Sequence, residues 1–112
     1  MFQIFTDLHA DHALVTLVGE ADPTAVRDLR KELALLARLG YRHVILDLRR
    51  LEAIYSDGLG VIIDAGLQRR RDGGWIKIIN PPARIKALLD YCGLRRLLAP
   101  GPPNVQTTQA QP

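Results

Sequence analysis

A serine with a carboxylate beside it and two glycines close behind is the part of this 112-residue chain whose chemistry is easiest to define. The segment reads Ser56-Asp57-Gly58-Leu59-Gly60, and it lies between an apolar, β-branched run at residues 43–48 and an apolar-periodic stretch that ends at Gln68. This order predicts a strand, a turn and a helix. We expect Ser56 to be the N-cap of that helix, because a serine oxygen accepts hydrogen bonds from the first unpaired backbone amides.

The predicted position of Ser56 suits a residue that gains negative charge. A phosphate at a helix N-terminus meets free amides and the positive end of the helix dipole. Gly58 and Gly60 lower the helix propensity of the first turn, which indicates that a phosphate or a partner surface comes close to this backbone. Nucleophilic catalysis by Ser56 is a remote alternative, a small serine hydrolase. The segment lacks the Gly-x-Ser-x-Gly order, and no histidine is marked by the sequence as its base.

Strand and helix patterns alternate along the rest of the chain. The predicted strands cover residues 2–8, 13–19, 42–48 and 75–79, and the predicted helices cover residues 23–39, 57–71 and 82–92. Asp22 before Pro23, and Asn80 before Pro81, are typical of a capping residue followed by a proline at a helix start. Helical crossovers join parallel strands, whereas a short turn joins the first two strands. We therefore predict an α/β domain with a single mixed sheet and helices packed against it.

Composition limits the remaining classes of function. The net charge is +3, but the fifteen lysines and arginines are dispersed, and no motif or set of interleaved aromatics indicates direct nucleic-acid binding. The single cysteine, Cys92, is expected to be a buried thiol on the third helix, and the cysteine and histidine spacing predicts no metal site. We expect no cofactor. No apolar run reaches the roughly 20 residues of a membrane span, so we predict a cytoplasmic protein without membrane insertion.

The predicted domain covers residues 1–98. Residues 99–112 contain four prolines and three glutamines, with no charged or aromatic residue, and this composition predicts an unpacked, polar tail.

Several short segments together resemble the STAS domain of bacterial anti-sigma-factor antagonists. They are Gly19-Glu20-Ala21-Asp22, the strand at residues 44–48, the turn from Ser56 to Val61, Gly73-Gly74, and the ending from Asn80-Pro81 to Gly93-Leu94. The resemblance extends over about residues 10–98. Its most specific part is the order Ser-x-Gly-Leu-Gly-Val between a strand and a helix.

In that family, the serine before this helix is phosphorylated by an anti-sigma factor that is also a serine kinase. The unmodified antagonist binds the anti-sigma factor and thereby frees the sigma factor, and a separate serine phosphatase resets the phosphorylated form. The resemblance implies a binding protein without catalytic activity in which Ser56 is phosphorylated. The implied partner-binding residues are Asp22, Tyr55, Asp57, Gly58, Leu59, Gly60, Val61 and Asn80. Among these, we expect Val61 to be exposed and, with Leu59, to enter the interface.

Two residues depart from the family pattern. Tyr55 stands where the family usually has aspartate, and Asp57 stands where it usually has a small hydroxyl residue. Both departures favour a second hypothesis, in which the chain is a STAS scaffold or interaction subunit of a signalling or transport complex that never uses phosphorylation.

Overall fold

Strands and helices alternate as the sequence pattern predicts. The computed structural model describes residues 1–94, and the predicted tail at 99–112 lies outside the described residues. In chain order the elements are β1 (Phe2–Leu8), β2 (Ala13–Ala21), α1 (Pro23–Arg38), β3 (His43–Asp47), β4 (Leu51–Ile54), α2 (Ser56–Arg71), β5 (Trp75–Ile79) and α3 (Ala83–Tyr91). Every predicted element is present, with ends that differ by no more than two residues. The prediction lacked β4.

The strands form one mixed sheet in the order β1-β2-β3-β5, with β4 also paired to β2. β1 and β2 are antiparallel, whereas β2 is parallel to β3 and β3 is parallel to β5. The registers bring Ala13 opposite Val44, and Val44 opposite Ile76. The predicted α/β fold with a mixed sheet is therefore confirmed.

β4 lies within a segment that the sequence pattern left as a connection. It pairs with the end of β2, where Ala21 is opposite Ile54, while β3 pairs with the beginning of β2. A tight turn between β3 and β4 closes through a hydrogen bond of 3.0 Å from the Leu51 amide to the Leu48 carbonyl. β4 has four residues and only its two ends are buried, so it is too short to give a period-2 signal.

The core lies between the sheet and the helices. α1 buries an apolar stripe of Val26, Leu29, Leu33 and Leu36. α2 buries a wider arc of its surface, because it packs against α1 as well as against the sheet. Val61 belongs to this wider arc and is 5% exposed, so the expectation that Val61 is exposed is wrong.

Two further local expectations are wrong. α3 begins at Ala83 with Pro82 as its N-cap, so Asn80 does not cap it. Asn80 instead has a φ of 55°, in the left-handed region that asparagine tolerates better than most residues. Cys92 is exposed, because α3 ends at Tyr91 and Cys92 follows it as the C-cap, off the apolar stripe. Among residues 1–94, the structure contains no helix that is both long and apolar enough to cross a bilayer.

One buried charge joins the two long helices. The Arg69 side chain of α2 is 3% exposed, and its Nη2 donates a hydrogen bond of 2.9 Å to the Leu33 carbonyl of α1. The Nε atom is buried, and no group in residues 1–94 forms a hydrogen bond with it. Burial lowers the pKa of the Arg69 guanidinium, and the nearby Asp72 carboxylate partly offsets that effect. The contact ties α1 to α2, but it leaves part of the cost of burying a cation uncompensated.

We predict that Arg69→Met unfolds at the same urea concentration as wild type or at a higher one. Methionine fills a similar volume and removes the incompletely paired charge. Arg69→Ala should lower the free energy of unfolding by about 2–4 kcal/mol, because it leaves a cavity between the helices. Urea titrations followed by circular dichroism measure both variants. If Arg69→Met lowered the free energy of unfolding as much as Arg69→Ala, the hydrogen bond to Leu33 would be the main contribution of Arg69 to stability.

Candidate functional site

The starts of α1 and α2 lie side by side at one edge of the sheet. β2 ends at Ala21 and β4 ends at Ile54, and these two residues are paired in parallel strands. Each strand leads into a helix within two residues, at Pro23 and Ser56. The free amides and positive dipole ends of both helices therefore meet at this edge, which favours negatively charged groups.

Asp22 caps the first of these helices, as predicted. Its Oδ1 accepts a hydrogen bond of 2.9 Å from the Ala25 amide, and its backbone carbonyl accepts one of 3.0 Å from the Val26 amide. The side chain is exposed and lies at the mouth of the site. One carboxylate oxygen is thus engaged in the cap, which fixes the orientation of the group.

Ser56 is the first residue of α2 and not its N-cap, so that part of the prediction is wrong. The cap residue is Tyr55, which has extended backbone angles and whose side chain makes no capping hydrogen bond to α2. The Tyr55 carbonyl accepts the first helical bond from the Leu59 amide at 3.1 Å. Ser56 is exposed, and within residues 1–94 its hydroxyl has no hydrogen-bond partner. The hydroxyl is therefore free for modification or for contact with a partner.

Polar and aromatic groups flank the hydroxyl. Tyr55 is 52% exposed, and Asp57 is exposed in the first turn of α2, where its charge suits the helix dipole. Together with Asp22, these side chains give the site a polar rim with two carboxylates. The residues that depart from the family pattern are therefore on the surface beside Ser56.

The two glycines of the segment have different roles. A Cβ on Gly58 would lie 2.9 Å from Cγ1 of Ile54 and 3.6 Å from Cγ2 of Val26, so the absence of a side chain there allows α2 to pack on its own core. A Cβ on Gly60 would meet nothing within 4 Å. Internal packing thus explains Gly58, whereas the expectation that another surface approaches the backbone at Gly60 stays a prediction.

Leu59 and Val61 point into the core and are 7% and 5% exposed. Their side chains are consequently not available to enter a partner interface, contrary to the expectation drawn from the sequence. The surface that the segment does present consists of the Ser56 hydroxyl, the Asp57 carboxylate and the backbone at Gly60.

A groove between α1 and α2 starts at Ser56 and has a volume of about 500 Å³. Its lining comes from Pro23, Val26, Arg27 and Arg30 of α1, and from Ser56, Asp57, Gly60, Val61 and Asp64 of α2. Neither arginine is among the site residues predicted from the sequence. The available signal was their position on the α1 face next to Val26, one and two turns beyond the Asp22 cap.

Asn80 lies apart from this groove. Its Nδ2 donates a hydrogen bond of 3.3 Å to Oδ1 of Asp47, which also accepts one of 3.0 Å from the Arg49 amide. Asn80 is exposed at the end of β5, beside the end of β3. The structure therefore brings Asp22 and the segment from Tyr55 to Val61 together and leaves Asn80 outside them.

The three histidines lie far from Ser56. His9 and His12 stack at 4.6 Å beside the turn between β1 and β2, and His43 stacks on Trp75 at 4.7 Å at the start of β3. The pKa of His43 is lowered, mainly by burial and also by Arg42. In the described part of the chain, no three histidine, cysteine, aspartate or glutamate side chains are grouped so that they could hold a metal ion.

Comparison with known proteins agrees with the resemblance seen in the sequence. A family model described as "Mlab, STAS domain" matches residues 4–99. A protein named anti-sigma F factor antagonist, from Paenibacillus polymyxa, is 30% identical over 99 residues, which cover 86% of this chain and 83% of that protein.

Solved structures show the same fold at lower identity. The unphosphorylated form of the anti-sigma factor antagonist SpoIIAA has a TM-score of 0.80 at 16% identity, covering 97% of this chain and 96% of that one. An anti-sigma factor antagonist from Mycobacterium paratuberculosis has a TM-score of 0.77 at 17% identity, covering 98% and 93%. The phosphorylated form of SpoIIAA from Bacillus has a TM-score of 0.73 at 19% identity, covering 99% and 100%.

The two glycines provide a matched pair of variants. Gly60→Ala should raise the free energy of unfolding by about 0.5–1 kcal/mol, because alanine is the better helix former and its methyl group meets open space. Gly58→Ala should lower it, because Ile54 must move to make room. Urea unfolding of both variants measures the difference. Equal changes in the free energy of unfolding of the two variants would contradict a packing role that is confined to Gly58.

Proposed function

The chain belongs to the STAS domain family, and from this membership we propose that it is an anti-sigma-factor antagonist controlled by phosphorylation of Ser56. The observation that carries the proposal is the exposed Ser56 hydroxyl, which has no hydrogen-bond partner among the described residues and stands at the start of α2 beside the groove. The name of the Paenibacillus polymyxa relative supports the class of partner, an anti-sigma factor.

In the unmodified state, the partner contacts the surface around Ser56. The side chains of Asp22, Tyr55 and Asp57 offer polar groups, and the open backbone at Gly60 permits close approach. Leu59 and Val61 support this surface from beneath. The proposed partner is an anti-sigma factor that is also a serine kinase, so that the same surface serves for docking and for modification.

In the phosphorylated state, the fold is retained and the interface is lost. A phosphoserine adds about −1.5 to −2 charges and three acceptor oxygens. At the N-terminus of α2 that charge is favourable by about 0.3–1 kcal/mol, so α2 remains folded. Burying the same charge against a partner without a countercharge costs several kcal/mol, and each 1.4 kcal/mol is a tenfold loss of affinity. Removal of the phosphate by a serine phosphatase would restore binding.

This function requires no catalytic group in the chain. The serine hydrolase alternative needs a base within hydrogen-bond reach of the nucleophile, and none of the described residues that line the groove is a histidine. The proposed action takes place in the cytoplasm, on the anti-sigma factor and not on nucleic acid.

The scaffold hypothesis keeps one specific observation in its favour. Asp57 is an exposed carboxylate next to Ser56, so this surface carries a constant negative charge even without phosphate. A partner that binds next to the Asp57 carboxylate already accepts one negative charge beside residue 56. The two hypotheses differ in whether a second charge, on residue 56, abolishes binding.

We predict that Ser56→Ala binds the cognate anti-sigma factor with the wild-type Kd and that Ser56→Glu binds at least about tenfold more weakly, since an unpaired charge enters the interface. Isothermal titration calorimetry with the purified partner measures both. Ala87→Glu, at an exposed position on α3, is the matched control for added charge and should bind as wild type does. If Ser56→Glu binds as tightly as Ser56→Ala, the scaffold hypothesis is favoured over the phosphorylation switch.

Incubation of the full chain with that partner and ATP, followed by intact-mass analysis, tests the modification itself. We expect a single phosphate on the wild-type chain and none on Ser56→Ala. A phosphate that persists in Ser56→Ala would place the modification on another residue.

A further inference from the structure

We propose that Arg27 of α1 binds the phosphate on Ser56 across the groove between α1 and α2. The inference rests on the proposed function, because it requires Ser56 to be phosphorylated, and it adds an intramolecular receptor for the phosphate. Arg27 and Ser56 line the same groove, from opposite helices.

The contacts between the helices define the offset between Arg27 and Ser56 along the helix axes. A Cβ on Gly58 would lie 3.6 Å from Cγ2 of Val26, and Arg69 reaches the Leu33 carbonyl further along. α1 and α2 therefore run in the same direction, with position 26 level with position 58. At about 1.5 Å per residue, Arg27 lies only about 4.5 Å beyond Ser56 along the helix axes.

The direction of the side chain reduces this offset. In an α-helix, side chains lean towards the N-terminus, which for Arg27 is the direction of Ser56. Arg30 lines the same groove, but it is level with position 62 of α2. Its offset from Ser56 along the helix axes is therefore about 9 Å, at about 1.5 Å per residue. Of the two arginines that line the groove, Arg27 is consequently the nearer to Ser56 along the helix axes.

Among the described residues, Arg27 has no competing partner. Its side chain is exposed, and within residues 1–94 it makes no hydrogen bond and no ion pair within 4 Å. Asp57 and Asp64 line the groove as well, yet neither forms an ion pair with either arginine of the groove. The guanidinium is therefore free to bind a phosphate without breaking an existing contact.

A phosphate is also a better ligand for Arg27 than either carboxylate. It carries about −1.5 to −2 charges and three acceptor oxygens, and the planar guanidinium binds such a group through two parallel hydrogen bonds. The bridge would occupy the mouth of the groove. Phosphorylation would then alter the surface in two ways. A phosphate of about −1.5 to −2 charges keeps a net negative charge after it pairs with one guanidinium, and the bridge withdraws the positive charge of Arg27 from any acidic group of a partner.

The test uses the full chain with phosphoserine incorporated at position 56 by an expanded genetic code. The second ionisation of a phosphoserine ordinarily has a pKa of about 6, and a bound cation lowers it. We expect ³¹P NMR titration to give a phosphate pKa that is higher in Arg27→Gln than in the wild-type chain by about half a unit or more, because the neighbouring Asp22 and Asp57 are the same in both. Arg38→Gln, in the last turn of the same helix, is the matched control and should leave it unchanged.

A second measurement does not depend on substitution. The ¹H–¹⁵N resonance of the Arg27 side-chain Nε–H should shift and sharpen on phosphorylation, while that of Arg38 should not. A phosphate pKa that is equal in wild type and Arg27→Gln, or an Arg27 resonance that phosphorylation leaves unmoved, overturns the proposal. If Arg30→Gln alone raised the pKa, the receptor would be Arg30 and the proposal for Arg27 would be wrong.

These readouts are separate from the proposed function, since neither requires the partner. If phosphorylation abolishes partner binding and the pKa is insensitive to Arg27, only the inference about Arg27 fails. If the pKa depends on Arg27 but the phosphorylated chain still binds the anti-sigma factor, the partner-switching function fails and the intramolecular bridge stands.

Discussion

The parallel pairing of β2 with β4 is the constraint on which the site depends. It places Ala21 opposite Ile54, so that the chain leaves both strands at the same edge of the sheet and begins a helix from each. The Asp22 cap, the Ser56 hydroxyl and the groove between the helices all follow from that adjacency. A different register would separate the two helix starts, because a shift of one residue in the pairing moves one strand along the other by about 3.3 Å.

Beneath this edge, packing determines which groups reach the surface. Leu59 and Val61 are buried because α2 contacts both the sheet and α1, and Gly58 lacks a side chain because Ile54 occupies that space. The apolar part of the motif therefore stabilises the helix pair, and the polar part faces outward. The segment from Ser56 to Val61 thus combines buried residues that hold the helix in place with exposed residues that a partner can reach.

Periodicity in the sequence was sufficient for most of the fold, because long amphipathic helices and β-branched strands give strong local signals. β4 was missed because four residues with buried ends carry no such signal. The sequence predicts Ser56 as the N-cap of α2, whereas Ser56 is the first helical residue. The N-cap is Tyr55, which the sequence does not indicate because its side chain makes no capping hydrogen bond. The exposure of Val61 and the presence of Arg27 in the groove depend on how α1 lies against α2, and no local pattern in α2 contains that information.

The length of β2 separates the histidines from the surface around Ser56. From Ala13, beside the histidines, to Ala21, beside the helix starts, the strand spans roughly 26 Å at about 3.3 Å per residue. Histidine is the side chain that ordinarily changes charge between pH 5 and 8, and the chain has three, all at the far end of β2. The groove beside Ser56 is therefore lined by arginine and aspartate side chains, with no histidine among its described residues.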